Sequence, residues 1–168
     1  FATNNVLTYN GELQQFEATV TGIKTVDNGL VDVIYTYYKN DTITSPIDAG
    51  SYKVVVSITG DKADNYKLNL NTAYFTINKA TVTFTYPTDT SFEYTGSAIS
   101  FEPTSVSGLI GSDTVTYTYY KYGSSVALAG APTEVGKYTV KATVSNSSNY
   151  ALSSANATFT ITEVASND

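Results

Sequence analysis

Residues 50–59 read Gly-Ser-Tyr-Lys-Val-Val-Val-Ser-Ile-Thr. From Tyr52 to Ile58 apolar side chains occupy every second position, and Lys53 is one of the residues between them. A period of two places alternate side chains on opposite faces, so the stretch predicts a β-strand with one buried face. Gly50 stands directly before this strand, where a turn often requires a positive φ.

The same pattern returns later in the chain as Gly-Lys-Tyr-Thr-Val at residues 136–140. Other short blocks also recur, among them Tyr-Thr-Tyr-Tyr-Lys at 35–39 and 117–121 and Phe-Thr-Ile at 75–77 and 159–161. The spacing between copies stays between 82 and 86 residues and changes only between blocks. Two copies of one fold behave in this way when their loops differ and their strands do not. The repeat therefore predicts two domains, residues 1–79 and 80–168.

Each copy contains about six or seven short strand-like runs separated by turn signals, which is typical of a small sandwich. We predict an all-β fold of two tandem Ig-like antiparallel β-sandwich domains. A β-grasp arrangement is the alternative, but it needs a helix, and no stretch has helical periodicity. Copy two opens with a strand-like run at 80–86. Because Phe1 aligns with Tyr86, the first domain is expected to have a truncated first strand.

This pattern of blocks resembles the MBG-type tandem repeats of bacterial surface proteins. The residues that carry the resemblance are Tyr-Asn-Gly at 9–11 with Tyr-Thr-Gly at 94–96, the two Gly-x-Tyr strands, Asn-Tyr at 65–66 and 149–150, and the closing run at 75–80. The resemblance covers nearly the whole chain. It implies an Ig-like module of an extracellular protein, secreted or attached to the cell wall, that serves as a stalk or an adhesive segment. It supplies no catalytic residues.

The composition argues against several classes of function. The net charge is −6 and every basic residue is Lys, so the Arg-rich basic patch of a nucleic-acid-binding protein is missing. Without His or Cys the chain lacks the usual general base and thiol nucleophile. We therefore expect no enzyme activity, no cofactor and no metal site. Asp61, Asp64 and Asn65 form the best cation cluster, but the matching loop of copy two has only Asn and Ser, which favours a solvated turn. No apolar run is long enough to span a membrane.

Tyrosines that face away from the predicted core are the best candidates for binding. Alternation places Tyr38 and Tyr120 on the face opposite the buried row, and Tyr122 follows two residues later. Exposed aromatic rings can stack on sugars or anchor a protein partner, such as a host glycan or glycoprotein. Ordinary cross-strand packing, or contact with neighbouring repeats of the same chain, is the simpler interpretation.

A covalent Lys–Asn isopeptide cross-link is a second possibility, because both copies contain a Lys, an acid and an Asn. The residues are Lys39, Glu17 and Asn65 in copy one and Lys121, Glu102 and Asn149 in copy two. The chemistry requires the Lys and the acid to be buried together. A solvated Lys at a strand end and a turn-forming Asn explain the same residues more simply.

Three functions fit these observations. The leading hypothesis is a non-catalytic spacer that holds another domain away from the cell surface. The alternative is an adhesive module that binds a host glycan or glycoprotein through exposed Tyr residues. An accessory domain of an enzyme is compatible with the same sequence. A contiguous exposed aromatic patch would favour the binding module, and buried aromatics would favour the spacer.

Overall fold

The computed structural model describes residues 1–165. The chain divides into two compact units, which we call unit 1 (Phe1–Ala80) and unit 2 (from Thr81 onward). The predicted all-β class is confirmed, because regular structure in residues 1–165 consists of twelve strands and three single-turn 3-10 segments. The 3-10 segments are Thr25–Asp27, Ala63–Asn65 and Ser147–Asn149.

Unit 1 is built on one sheet. Its strands are β1 (Val6–Thr8), β2 (Asp32–Lys39), β3 (Thr42–Ile43), β4 (Gly50–Thr59) and β5 (Thr72–Asn78). Their order across the sheet is β1-β5-β4-β2-β3, so the strand with the strictest alternation, β4, lies in the middle. Tyr52 of β4 stands opposite Phe75 of β5, and Val54 of β4 stands opposite Tyr37 of β2. The core of unit 1 is gathered on this face of the sheet.

Unit 2 contains two sheets. Its strands are β6 (Ala80–Thr85), β7 (Ser91–Glu93), β8 (Ser105–Ser107), β9 (Val115–Lys121), β10 (Gly136–Val144), β11 (Tyr150–Ser153) and β12 (Asn156–Thr162). The four-stranded sheet has the order β7-β12-β10-β9 and repeats the β1-β5-β4-β2 part of unit 1. The three-stranded sheet has the order β11-β6-β8, and no strands of unit 1 correspond to it within residues 1–165.

Two strand pairs run parallel, although we expected antiparallel sheets. Strand β1 pairs in parallel with β5, with Val6 opposite Thr76, and β7 pairs in parallel with β12, with Phe92 opposite Ile161. Alternation determines which face a side chain occupies, but the face is the same whichever way the neighbouring strand runs. The sequence pattern therefore predicts the strands and not the direction of these two pairings.

A cluster of aromatic rings forms the centre of each unit. In unit 1, Phe75 stacks on Phe16 and on Tyr52, with ring centroids 5.2 and 5.3 Å apart. In unit 2, Phe159 stacks on Phe101 with centroids 5.0 Å apart. Stacked and edge-on ring pairs add stabilisation beyond the burial of their area. The two units therefore share one core arrangement.

The loop before the central strand is held in the same way in both units. The hydroxyl of Tyr52 donates a hydrogen bond of 2.7 Å to the carbonyl of Asp48, four residues earlier. The hydroxyl of Tyr138 donates one of the same length to the carbonyl of Glu134. A buried ring with a hydroxyl bonded to nearby backbone resembles the tyrosine corner of Ig-type sandwiches.

Candidate binding surface

The outward face of the unit 1 sheet carries a row of three long side chains, Tyr38 on β2, Lys53 on β4 and Tyr74 on β5. The strand register sets them side by side, because Tyr38 pairs with Lys53 and Lys53 pairs with Tyr74. The alternation that buries Tyr52 and Phe75 turns these neighbours outward. We call them the Tyr-Lys-Tyr row.

The charge of Lys53 is held at the centre of the row. Its Nζ lies 4.9 Å from the centroid of the Tyr38 ring and 2.8 Å from a carboxylate oxygen of Asp41. The hydrogen bond from Lys53 lowers the pKa of the Asp41 carboxyl, and the same bond raises the pKa of Lys53. Both groups are therefore charged at neutral pH. Tyr74 completes the row with a side chain that is 67% exposed.

A shallow groove of about 350 Å³ lies over the row. Besides the two Tyr rings and Lys53, polar residues line it: Asn5, Asn40, Asp41, Ser51 and Thr76. Rings offer flat faces for stacking, and the surrounding amide, carboxylate and hydroxyl groups can donate and accept hydrogen bonds. The groove therefore combines the two kinds of contact that a polar, hydroxyl-rich ligand uses. Within residues 1–165 no group of three or more acidic, His or Cys side chains could hold a metal ion.

Unit 2 does not reproduce the row. Tyr120 takes the place of Tyr38, but its neighbours in register are Thr139 and Thr158. Tyr120 lies in a groove of about 300 Å³ with no second aromatic ring. Tyr122 is 58% exposed and is covered on one side by Lys137, whose Nζ lies 4.1 Å from the ring centroid. The three predicted tyrosines thus lie in different surroundings, and only Tyr38 joins a multi-residue row.

Tyr74 was missed by the sequence analysis. The signal was present, since Tyr74 lies between Ala73 and Phe75 in the same alternating strand and must face the other way. Candidates were chosen among residues common to both copies, and the counterpart of Tyr74 is Thr158. Comparison of the copies therefore passed over a residue that occurs in one unit alone.

The residues considered for an isopeptide cross-link are mostly on the surface. Glu17, Glu102, Lys121 and Asn65 are exposed, and Asn149 is buried. The amine of the half-buried Lys39 donates a 2.9 Å hydrogen bond to the carbonyl of Ala49. The joint burial of a Lys and an acid, which the reaction requires, is not met by these residues.

A Tyr–Asp contact recurs in both units and was also missed. In unit 2 the hydroxyl of Tyr150 donates a 2.6 Å hydrogen bond to Asp113 and accepts one of 3.1 Å from the amide of Ile110. In unit 1 the hydroxyl of Tyr66 donates a 2.7 Å bond to Asp27 and accepts a 3.0 Å bond from the amide of Lys24. We call this contact the Tyr–Asp latch.

The latch connects the turn after the central strand to the loop that precedes β2 or β9. In unit 2 Asp113 also accepts hydrogen bonds from Ser145 at 3.0 Å and from Asn146 at 2.6 Å. The bond from Tyr150, followed by those from Ser145 and Asn146, lowers the pKa of the Asp113 carboxyl. The sequence analysis noted Asn-Tyr as a recurring block with a turn-forming Asn, and the partner Asp lies too far away in the chain for a local pattern to indicate it.

Comparison with known proteins identifies one family. A family model described as the MBG domain matches the chain twice, over residues 3–81 and 80–165. No curated protein and no solved structure gives a significant match. Within residues 1–165 no helix has the length and apolar character needed to cross a membrane.

Proposed function

The chain belongs to the MBG domain family, and from that premise we propose that its two units are non-catalytic spacer repeats of an extracellular bacterial protein. The family is associated with surface proteins and is a non-enzymatic type of module. In this role the repeats, secreted or attached to the cell wall, hold another domain at a distance from the cell. Neighbouring repeats of the same chain are their expected partners.

One observation carries the proposal: the side chains that recur in both units serve the fold. The rings of Phe75 and Phe159 centre the two cores, and the hydroxyls of Tyr52 and Tyr138 bond to backbone inside their own units. A repeat selected for binding should instead keep its exposed residues. The outward row is not kept: Tyr38 recurs as Tyr120, but Thr139 and Thr158 replace Lys53 and Tyr74.

The composition suits such a role. Each unit has its own buried aromatic core, and the chain contains no Cys, so stability does not depend on the redox state of disulfides. The net charge of −6 favours solubility and discourages association with other acidic chains.

The spacer function can be tested by display on a bacterial surface. The 168 residues are inserted between a cell-wall anchor and an epitope, and antibody access to the epitope is compared with an anchor–epitope fusion that has no insert. A pair of unrelated sandwich domains of equal length is the matched control. We expect both inserts to increase access equally. An insert that gives no more access than the fusion without it would contradict the spacer function.

Adhesion to a host glycan or glycoprotein is the second candidate, and the Tyr-Lys-Tyr row favours it. Tyr38 and Tyr74 present two rings on one face with the ion-paired Lys53 between them. Aromatic rings beside charged and amide groups are suited to stacking on sugar rings and to hydrogen bonding with their hydroxyls. On this hypothesis binding belongs to unit 1 and does not require Tyr120 or Tyr122.

A glycan-array and mucin screen separates the two functions. The native chain is compared with a Tyr38→Ala/Tyr74→Ala variant and with a Tyr120→Ala/Tyr122→Ala variant as the matched control in unit 2. Binding that is lost only in the first variant would assign adhesion to the row and overturn the purely structural role. Absence of binding by the native chain would reject adhesion through this face.

A further inference from the structure

We propose that unit 2 binds a primary alkylammonium group, the side chain of a lysine on a partner protein, in a groove beside Tyr138. The same place is filled by a lysine in unit 1 and is open in unit 2. This site is separate from the Tyr-Lys-Tyr row, and its ligand is the same whether the array acts as a spacer or as an adhesin.

Unit 1 shows which chemical group this place accepts. Lys39, at the end of β2, is half-buried there. Its Nζ donates a 2.9 Å hydrogen bond to the carbonyl of Ala49 and lies 5.3 Å from the centroid of the Tyr52 ring. A carbonyl oxygen and the face of an aromatic ring both attract a cation. The place is therefore suited to an ammonium group.

The backbone that forms this place is repeated in unit 2. The glycines that open β4 and β10 have φ values of +151° and +154°. The hydroxyls of Tyr52 and Tyr138 each bond to the carbonyl four residues earlier. Residues 134–138 thus repeat the conformation of residues 48–52. The carbonyl that holds the amine in unit 1 corresponds to that of Val135.

The equivalent lysine leaves the place open in unit 2. Lys121 ends β9 as Lys39 ends β2, but Lys121 is exposed. A β-carbon at Gly50 would lie 2.7 Å from Cε and 2.8 Å from Nζ of Lys39. At Gly136 the three nearest atoms all belong to Tyr138, and the closest is 3.4 Å away. The end of the Lys121 side chain therefore lies elsewhere.

A groove of about 350 Å³ opens beside the Tyr138 ring. Leu128, Ala131 and Pro132 line it with apolar surface, which suits the methylene chain of a lysine. Glu134 also lines it, and its carboxylate attracts an ammonium group. The groove thus combines an apolar wall with a negative charge and an aromatic ring.

The ligand is identified by the side chain that fills the same place in unit 1. Lys39 has a four-carbon chain that ends in one ammonium group, and both parts find a counterpart in the groove of unit 2. The net charge of −6 favours the approach of a basic partner. Lys121 also lines the groove, so its like charge opposes the ligand and its side chain competes for the place.

The test uses the complete 168-residue chain with Nα-acetyl-lysine amide as the probe, whose charge lies on the side chain alone. Nα-acetyl-norleucine amide has the same four-carbon chain without the ammonium group and is the control. Amide chemical shifts in two-dimensional NMR locate the binding. We expect saturable shifts at 128–138 with the lysine probe alone, and none at 44–52, where Lys39 fills the place. Equal shifts with both probes, or no shifts at 128–138, would overturn the proposal.

Three substitutions test the charges around the groove. Glu134→Gln keeps the backbone carbonyl that holds Tyr138 and should weaken binding about two- to fivefold. Glu93→Gln, on β7 at the opposite edge of the sheet, is the matched control and should leave binding unchanged. Lys121→Ala removes the competitor and should strengthen binding. Unchanged affinity in Glu134→Gln, or weaker binding in Lys121→Ala, would contradict the site.

Removal of the lysine from unit 1 should create a second site. Lys39→Ala opens the place over Tyr52, so the lysine probe should shift amides at 44–52 as well as at 128–138. Lys39→Met keeps most of the side chain and should leave the place filled. Shifts in unit 1 of Lys39→Ala without shifts in unit 2 would mean that Lys121 fills the groove in solution, and the proposal would fail.

Discussion

Units 1 and 2 share the order of four sheet strands, the ring cluster and the Tyr–Asp latch. In both, a tyrosine of the central strand is bonded to the loop that precedes the strand. Among the described residues they differ in the second sheet, which is formed in unit 2, and in the outward face, where unit 1 carries the Tyr-Lys-Tyr row. The comparison shows that the ring cluster is the core common to both units. It also shows that surface residues can diverge while the inward pattern is kept.

The substitutions expected to have the largest effect on stability remove the central ring of each unit. Phe75→Ala and Phe159→Ala each replace a fully buried ring that contacts several others, and each should lower the free energy of unfolding by about 3–5 kcal/mol. Urea denaturation followed by circular dichroism measures the loss. The exposed Tyr74→Ala serves as control and should cost little.

The two units should respond to these substitutions alike if the ring cluster is their common core. A loss in unit 1 that is much smaller than the loss in unit 2 would mean that the shared arrangement of rings does not stabilise both units equally. Amide exchange of the strands in each unit assigns the loss to the correct one.

Gly22 and Gly108 stand at equivalent positions of the two units and give the next largest effect, which measures the second sheet of unit 2 directly. Gly22→Ala and Gly108→Ala both force a side chain into a left-handed conformation, at a cost of about 1–2 kcal/mol. Gly108→Ala should cost about 1–3 kcal/mol more, because its methyl group meets the backbone of β6. Thermal unfolding of the two variants checks the order. Equal costs would contradict the close approach of Gly108 to the backbone of Thr81.

The Tyr–Asp latch should contribute more to the free energy of unfolding in unit 2 than in unit 1. Tyr150→Phe removes a hydrogen bond to a carboxylate in a buried setting and should cost about 1–2 kcal/mol. Tyr66→Phe removes the same bond from a half-buried residue and should cost less. Urea denaturation of the two variants measures the difference.

The latch also predicts a pH dependence for unit 2. The folded state lowers the pKa of Asp113, so this group stabilises unit 2 above its unfolded pKa, and the stabilisation is lost as the pH falls through the lower folded value. Unit 2 should therefore lose stability below about pH 4. In Asp113→Asn this part of the acid sensitivity should disappear, and a slope identical to that of the native chain would argue against the latch.

The smallest effect is expected at two buried hydroxyls. Within residues 1–165 the buried hydroxyls of Tyr37 and Tyr119 have no hydrogen-bond partner of ordinary geometry. Burial raises the pKa of both, and the nearby backbone of Phe16 and of Phe101 with the Ser100 hydroxyl opposes the rise. Tyr37→Phe and Tyr119→Phe should change the stability by less than about 0.5 kcal/mol, or increase it, because an unsatisfied polar atom is removed. A clear destabilisation in either unit would indicate a hydrogen bond that both units need.

Part of this architecture could be predicted from the sequence. The alternation from Tyr52 to Ile58 identified a strand and its buried face, and the recurrence of short blocks indicated the repeat that the family match confirms. These features are local or periodic, so they remain visible without a structure. The alternation also placed Tyr38 on the outward face, where the structure locates it.

Other features depend on contacts between distant residues. The parallel pairing of β1 with β5 joins segments about seventy residues apart, and alternation is the same for either direction. The latch joins Tyr66 to an Asp 39 residues away. The Tyr-Lys-Tyr row arises only when three strands lie in a particular register. None of these contacts can be predicted from a short sequence motif.

The parallel pairing of β1 and β5 has a mechanical consequence. Because the two strands run in the same direction, a pull on the residues before β1 and on the residues after β5 draws the strands past each other along their length. The hydrogen bonds that join them include those from the amide of Tyr9 to the carbonyl of Asn78, 2.8 Å, and from the amide of Thr76 to the carbonyl of Asn5, 2.9 Å. Under such tension these bonds share the force together and do not open one after another, so unit 1 is built to resist stretching along its own chain.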